Sequence, residues 1–464
     1  MIRSLLKHYR RVCRFALLVS LGGALAGCAV PSVNEAIDGQ PPGPQRVVGP
    51  RGPLSPAESR AIIAKLDGHS DLLHRHLAIE QAVSGAPLAV GNRTQLLHDG
   101  PQTFRAMFAA MKSAKRNIYL EYYIFENVES DGTHLVDLLS AKARAGVSVA
   151  VIYDSYGSVD TPQDVFDTLR AAGVRLLEFH PVDPLKAGLG YNLNDRDHRK
   201  ILAVDGRTAI VGGVNLYTAY QKHPHSRLVA SDGPDPDTWH DTDLEIDGRA
   251  AAELQHVFLE HWAAEQGPPL PAVKDPPPPA AGEEAVRIIA SGHDDTIPRY
   301  YATILSAIQN AEKNIWISAA YFVPTDDEMH ALIAAAKRGV DVRLMMPAHS
   351  DEPMAQAVGR ADYGDLLAAG IKIYEMQDGM PHSKWATIDG VWSVIGSSNF
   401  DHRSILFNDE VDAVVLGSNT AEQLEDLFGR EEARARPVTP QGWADRPIDE
   451  RIREIYSRAV EALL

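Results

Sequence analysis

The sequence predicts an α/β fold of two similar halves, each a mainly β sheet covered by helices, packed face to face around one active site. Three observations carry that reading. First, short blocks recur along the chain: Arg116-Asn117-Ile118-Tyr119-Leu120-Glu121 matches Lys313-Asn314-Ile315-Trp316-Ile317-Ser318, Ala143-Arg144-Ala145-Gly146-Val147 matches Ala336-Lys337-Arg338-Gly339-Val340, and Ala171-Ala172-Gly173-Val174 matches Ala368-Ala369-Gly370-Ile371. The second and third blocks are each a helix end, a glycine and the start of a β-rich run, so each half reads αβαβαβ. Helices alternating with strands cover a sheet. Second, each half then carries the same spaced set: His198, Lys200, Asp205, Gly212, Gly213 and Asn215, against His382, Lys384, Asp389, Gly396, Ser397 and Asn399. Third, a run from Gly267-Pro268-Pro269 to Pro276-Pro277-Pro278-Pro279 separates the halves and can continue neither helix nor strand.

At 464 residues and 45% hydrophobic, the chain can build more than one sizeable core. Its front end is of another kind. Arg3, Lys7, Arg10, Arg11 and Arg14 precede the apolar run from Phe15 to Leu25, which ends in Leu25-Ala26-Gly27-Cys28. That run is too short to span a bilayer and suits a signal peptide at residues 1–27. Its ending resembles the lipobox of bacterial lipoproteins, which implies cleavage before Cys28 and acylation of that cysteine. Residue 29 is alanine, and by the usual lipoprotein sorting rule this resembles an outer-membrane destination. The other cysteine, Cys13, lies inside the signal, so the mature protein has no thiol for a disulfide. Losing residues 1–27 removes five positive and no negative side chains, taking the formal charge from −17 to −22. So acidic a body is repelled by bulk polyanions, which argues against a nucleic-acid partner.

Residues 28–55 are rich in Pro and Gly and read as a flexible tether, followed by a helical segment over 56–87 that packs on the body. The first half is expected over 88–266, the Pro-rich linker over 267–284, and the second half, with a C-terminal helix, over 285–464. The halves differ in one place: Gly173 to His198 spans 25 residues and Gly370 to His382 only 12. Half one thus carries an insertion around His180 to Asp195, bordering the site.

The motif itself reads as a hairpin. Ile201 to Val204 and Thr208 to Val211 flank Asp205-Gly206, and Trp385 to Ile388 and Val391 to Ile395 flank Asp389-Gly390. A hairpin needs neither His nor Lys, however, and alternation puts the pair on one strand face. Phosphodiester chemistry supplies the reason: one histidine, neutral, attacks phosphorus, and the other, protonated, gives the leaving alcohol its proton. Lys200 and Lys384 neutralise the phosphate oxygens, and Asn215 and Asn399 donate hydrogen bonds to them, so no metal and no other cofactor is required. Each histidine also needs an acceptor on its second nitrogen. Asp241 and Glu410, which follow their motifs by comparable intervals on strand-like runs, are the candidates.

With the doubled His-x-Lys motif, Glu121-Tyr122-Tyr123-Ile124-Phe125 and Tyr153-Asp154-Ser155-Tyr156-Gly157-Ser158, the chain resembles the phospholipase D superfamily, and within it the bacterial cardiolipin synthases, over roughly residues 88–464. The resemblance implies a phosphatidyltransferase that joins two phosphatidylglycerols through a phosphatidyl-histidine, with His198, Lys200, Asp205, Asn215, His382, Lys384, Asp389 and Asn399 in the catalytic set, His198 as nucleophile and His382 as acid. Phospholipids and, through Cys28, a membrane are the expected partners of a monomer facing the periplasm in the bacterial envelope. Two departures stand out: the membrane-spanning helices with which the commonest cardiolipin synthases begin are absent, and Gly213 stands where the second motif has Ser397. A hydrolytic phospholipase D is the alternative. A nuclease, against which charge and anchor both count, and an inactive lipoprotein scaffold come after it.

Overall fold

The computed structural model describes residues 30, 32–34, 37, 45–67, 71–183, 194–221, 239–273, 275–448 and 450–451. The expected signal at 1–27, Cys28 and most of the His180 to Asp195 insertion lie outside them. Among the described residues no helix is long and apolar enough to cross a membrane.

Each half is built from the same ordered set of strands. In the first, Arg175–Phe179, Ser148–Asp154 and Asn117–Tyr122 run parallel, followed by the antiparallel strands Lys200–Val204, Thr208–Gly212, Asp243–Asp247 and Leu88–Leu97. In the second, Lys372–Met376, Asp341–Pro347 and Asn314–Ala319 run parallel, followed by Lys384–Ile388, Trp392–Gly396, Asn408–Leu416 and Glu284–Ser291. Leu88–Leu97 joins the two: residues 93–97 pair with Asp243–Asp247, and Ala89, Val90 and Asn92 pair with the start of Glu284–Ser291 across a register shift. One continuous sheet therefore runs through both halves.

Parallel strands need covered faces, and the strand residues are apolar on both. Helices Gly100–Ser113 and Leu135–Arg144 cover the first half from outside, burying Phe104, Met107, Phe108 and Leu139; Arg299–Asn310 and Asp326–Arg338 do the same for the second. The inner faces pack on each other: Ile201, Ala203, Ala209, Val211 and Leu244 share a core with Met345, Trp385, Ile395, Val411 and Ala413.

The stretch expected as a tether enters the body earlier than its composition suggests. Val47–Gly49 is a strand, parallel to Leu88 and Ala89, and Val47 is buried. Helices Pro56–Asp67 and Asp71–Ser84 follow; Leu73 and Leu77 of the latter enter the second half's core. Buried Glu80 takes an ion pair from Arg287 at 2.8 Å and a hydrogen bond from Trp392 Nε1 at 3.0 Å. A charge removed from water requires such partners.

Asp205 and Asp389, expected in the catalytic set, lie at the other end of the hairpins, five residues and about 16 Å of strand from Lys200 and Lys384. Each, with the following glycine, has positive φ (54° and 62°; 56° and 68°), the backbone of a type I′ turn that Asp-Gly favours. The Asp205 carboxylate accepts the N–H groups of Lys115, Arg116 and Asn117 at 2.8 to 2.9 Å. Asp389 takes those of Glu312, Lys313 and Asn314 in the same way. Both acids anchor the start of the neighbouring parallel strand to the motif hairpin.

A buried imidazole ties the halves together beneath His198. His261 Nδ1 bonds Glu121 Oε1 at 2.8 Å and its Nε2 lies 3.3 Å from Asp409 Oδ2, linking one strand from each half. Burial works against the imidazolium, but the two carboxylates outweigh it and push His261 up to about 10. Above its ordinary value near 6.5, this group adds stability that is full below 6.5 and lost as pH rises toward 10.

Replacing Asp205 or Asp389 with alanine orphans backbone donors and is expected to lower urea stability by about 3 kcal/mol with the cavity intact; unchanged stability contradicts the anchoring role. Between pH 7 and 10 the wild-type unfolding midpoint falls more steeply than that of His261→Gln. Parallel curves contradict the imidazolium clamp.

Candidate active site

Both motif histidines line one cavity of about 570 Å³ at the seam, together with Asn215, Asn399, Tyr123, Trp239 and Tyr321. Each histidine lies two residues before the first strand residue of its motif hairpin, Lys200 or Lys384, and each lysine Nζ turns back to the carbonyl of its histidine. Each Gly-rich bend after the second hairpin strand brings an asparagine to the cavity. A Cβ on Gly212 would meet Asp243 Oδ1 at 2.2 Å, and one on Gly396 would meet Asp412 Oδ1 at 2.0 Å, so the bends admit only glycine.

The acids cross the seam. His198, from the first half, has Nδ1 3.0 Å from both carboxylate oxygens of Glu410 in the second. His382, from the second half, has Nδ1 2.7 Å from Asp241 Oδ2 in the first. The backbone crosses with them: His198 N–H donates to Asp409 O at 2.9 Å, and Arg196-Asp197 pairs in parallel with Asn408-Asp409. In the mirrored position His382 N–H donates to His240 O at 2.6 Å, and Met380-Pro381 pairs with Trp239-His240. Each histidine is thus threaded onto the strand that carries the other half's acid. With Nδ1 held by a carboxylate, Nε2 is the nitrogen that faces chemistry, with Lys384 Nζ 3.2 Å from that of His382.

The two carboxylates are braced differently, which accounts for Gly213 facing Ser397. Glu410 is one methylene longer and receives Ser397 Oγ at 2.5 Å, Ser404 Oγ at 2.8 Å and Asn408 Nδ2 at 3.2 Å. Asp241 receives Tyr220 Oη at 3.1 Å and the Thr242 N–H at 2.7 Å. It lies so close to the bend that a Cβ on Gly213 would meet its Oδ1 at 2.2 Å. Tyr220, Ser404 and Asn408 are functional neighbours that no sequence motif marked, whereas the Gly213/Ser397 difference was a visible signal of unequal bracing.

The site buries two histidines and two lysines beside two carboxylates, and desolvation works against the charged form of every basic group. Burial, with Lys200 and Lys384 adding repulsion against the help of Glu410, lowers His198 to about 4; burial and Lys384 lower His382 to about 4 against Asp241. Burial takes Lys200 down to about 7 and lowers Lys384 as well. Glu410 moves the other way: burial raises it, but His198, Lys200 and Ser397 together hold it below the usual carboxylate range. Lys200 Nζ donates to His198 O at 2.6 Å, and Lys384 Nζ sits 2.7 Å from His382 Nδ1. Asn215 Oδ1 accepts the Ile124 N–H at 3.3 Å, which leaves its amide N–H₂ as the donor end. Asn399 Oδ1 has no hydrogen-bond partner among the described residues.

One group of metal-type ligands does exist nearby. Glu121, Asp197 and His261 have ligand atoms within 4.8 Å of one another and are all buried. His261 gives both nitrogens to carboxylates and is held protonated, and Arg199 lies 3.4 Å from Glu121. These cations offset part of the negative charge, while Glu121 Oε2 and Asp197 Oδ2 have no hydrogen-bond partner among the described residues.

The family profile described as "Cardiolipin synthase, PLD-like domain" matches residues 107–236 and 304–431, one copy in each half. Cardiolipin synthase of Geobacillus kaustophilus is 34% identical over 393 residues, covering 84% of this chain and 76% of its own. The enzyme of the same name from Alkalihalophilus pseudofirmus is 33% identical over 415 residues, covering 87% and 78%. A solved phosphatidylserine synthase from Haemophilus influenzae superposes with a TM-score of 0.59 at 11% identity, over 83% of this chain and 99% of that one, and shows the shared fold. With both motif copies inside the matched segments, and with relatives aligned over most of its length, the chain belongs to the cardiolipin synthase family with phospholipase D-like domains.

Proposed function

We propose that this protein is a phosphatidyltransferase that makes cardiolipin from phosphatidylglycerol through a phosphatidyl-histidine. The observation that carries the reading is the pair of imidazoles in one cavity, each with Nδ1 on a carboxylate of the other half. His198, neutral because burial lowers it, attacks phosphorus with Nε2. The P–O bond to the glycerol headgroup breaks, and His382, protonated as the phosphate's negative charge enters, passes its Nε2 proton to the leaving oxygen. Glycerol departs. The hydroxyl of a second phosphatidylglycerol then attacks phosphorus, its proton goes to His382, and the P–N bond breaks. Two phosphatidylglycerols become one cardiolipin and one glycerol.

Asp241 and Glu410 orient the rings and stabilise the imidazolium form, while Lys200, Lys384, Asn215 and Asn399 bear on the phosphate oxygens. The same anion draws Lys200 back from about 7 toward full charge. No step calls for a metal. One chain supplies every group, so a monomer suffices.

Acylated Cys28 would hold this body on the envelope membrane, facing the periplasm and, by the identity of Ala29, at the outer membrane. The formal charge of −22 after signal removal supports anchorage by acyl chains rather than by attraction to anionic lipid, and it disfavours nucleic acid as substrate.

Incubating the enzyme with labelled phosphatidylglycerol and resolving the products tests the reaction. Cardiolipin and glycerol in equal amounts are expected, with a denaturing quench at neutral pH leaving label on His198 in wild type and on neither histidine in His198→Ala. Phosphatidic acid as the sole lipid product contradicts transfer and identifies a hydrolase.

A further inference from the structure

Charged side chains of both signs line the cavity: Asp351, Glu352 and Asp401 with Arg196 and Arg403. Tyr321 packs its edge on His382 at 5.8 Å and donates to Asp351 at 2.8 Å. Arg196 precedes His198 by two residues, and Arg403 Nη1 donates at 2.9 Å to Asn194, two residues earlier still.

Neither arginine has a part in cleaving the donor, and Arg196 is incompletely bonded. It is 3% exposed; its Nη1 reaches Asp154 Oδ1 and His180 O only at 3.4 Å, and its Nε and Nη2 have no hydrogen-bond partner among the described residues. A guanidinium has five N–H donors, and leaving them unmet in a buried place is costly. Arg196, ion-paired to buried Asp154 at 3.4 Å yet with open donors, and with a second arginine lining the same cavity, fits a planar or tetrahedral oxyanion bound by two donors at once.

We infer that the Arg196–Arg403 wall is a second phosphate subsite, which holds the phosphodiester of the acceptor lipid while its headgroup hydroxyl attacks the phosphatidyl-histidine. The inference rests on the transferase reading and names what selects the acceptor. In that step the acceptor oxygen bonds phosphorus, the bond from phosphorus to His198 Nε2 breaks, and the hydroxyl proton passes to His382; the arginines exchange nothing and act by charge and hydrogen bonding. The first phosphate is already among the two histidines and two lysines when the second arrives. Bringing a second anion into the same cavity calls for further positive charge, and the two lining arginines supply it. Water, ethanol and glycerol carry no phosphate and gain nothing from the arginines.

The experiment uses the full chain with labelled phosphatidylglycerol and ethanol together, reading the ratio of cardiolipin to phosphatidylethanol. Arg403→Gln is expected to lower that ratio about tenfold, the effect of losing a charge-assisted bidentate contact, with Arg403→Lys in between. A second arm needs no variant: with wild type, glycerol 3-phosphate should outcompete glycerol as acceptor about tenfold in kcat/KM. Equal loss of both products in Arg403→Gln, an unchanged ratio, or no preference for the phosphorylated acceptor overturns the subsite. A wild type that forms phosphatidylethanol or phosphatidic acid but no cardiolipin overturns the transferase reading together with it, and so is told apart from failure of the subsite alone.

Discussion

Everything in this site depends on one constraint: a catalytic imidazole buried away from water must have its second nitrogen on a carboxylate, and here that carboxylate belongs to the other half of the chain. Glu410 reaches His198 and Asp241 reaches His382 across the seam. Neither half alone holds an oriented histidine. The backbone exchange that threads His198 onto the Asp409 strand and His382 onto the His240 strand makes the two contacts a consequence of how the sheets pair. Packing of Ile201, Val211 and Leu244 against Trp385, Ile395 and Val411 then fixes the distance between them. Hydrophobic burial is non-directional, whereas the strand pairing across the seam sets register.

The balance of charge follows from the same burial. Two histidines and two lysines, all depressed by desolvation, are poised to regain charge when a phosphate enters. Beneath them His261, Arg199, Glu121 and Asp409 form a second layer of ion pairs that joins the halves. The lower layer ties strands together, and the upper one meets the cavity.

Much of this was legible in the sequence, for identifiable reasons. The Asp-Gly pairs encoded the type I′ hairpins, because those residues tolerate positive φ. The helix-Gly-strand blocks encoded the parallel strands, and the apolar runs their burial. Asp241 and Glu410 could be picked out because each lies on a strand-like run downstream of its own motif. What that position does not carry is which acid meets which histidine, since both halves look alike and the exchange is set by long-range pairing. Asp205 and Asp389 were misread because a residue fixed in a motif by backbone anchoring looks the same in sequence as one fixed by chemistry. Val47–Gly49 was hidden by the Pro- and Gly-rich residues around it, since a three-residue strand hardly changes average composition. Tyr220, Ser404 and Arg403 carry no periodic or motif signal, and only the fold brings them to the cavity.

The exchange of acids across the seam is tested most directly by NMR of the histidine ring protons in the full-length protein. The account predicts two strongly downfield Nδ1–H resonances, one from His198 and one from His382; Glu410→Gln should displace the His198 signal alone, and Asp241→Asn the His382 signal alone. If instead each substitution moved the histidine of its own half, or if neither did, the two halves would not share one site in the manner described.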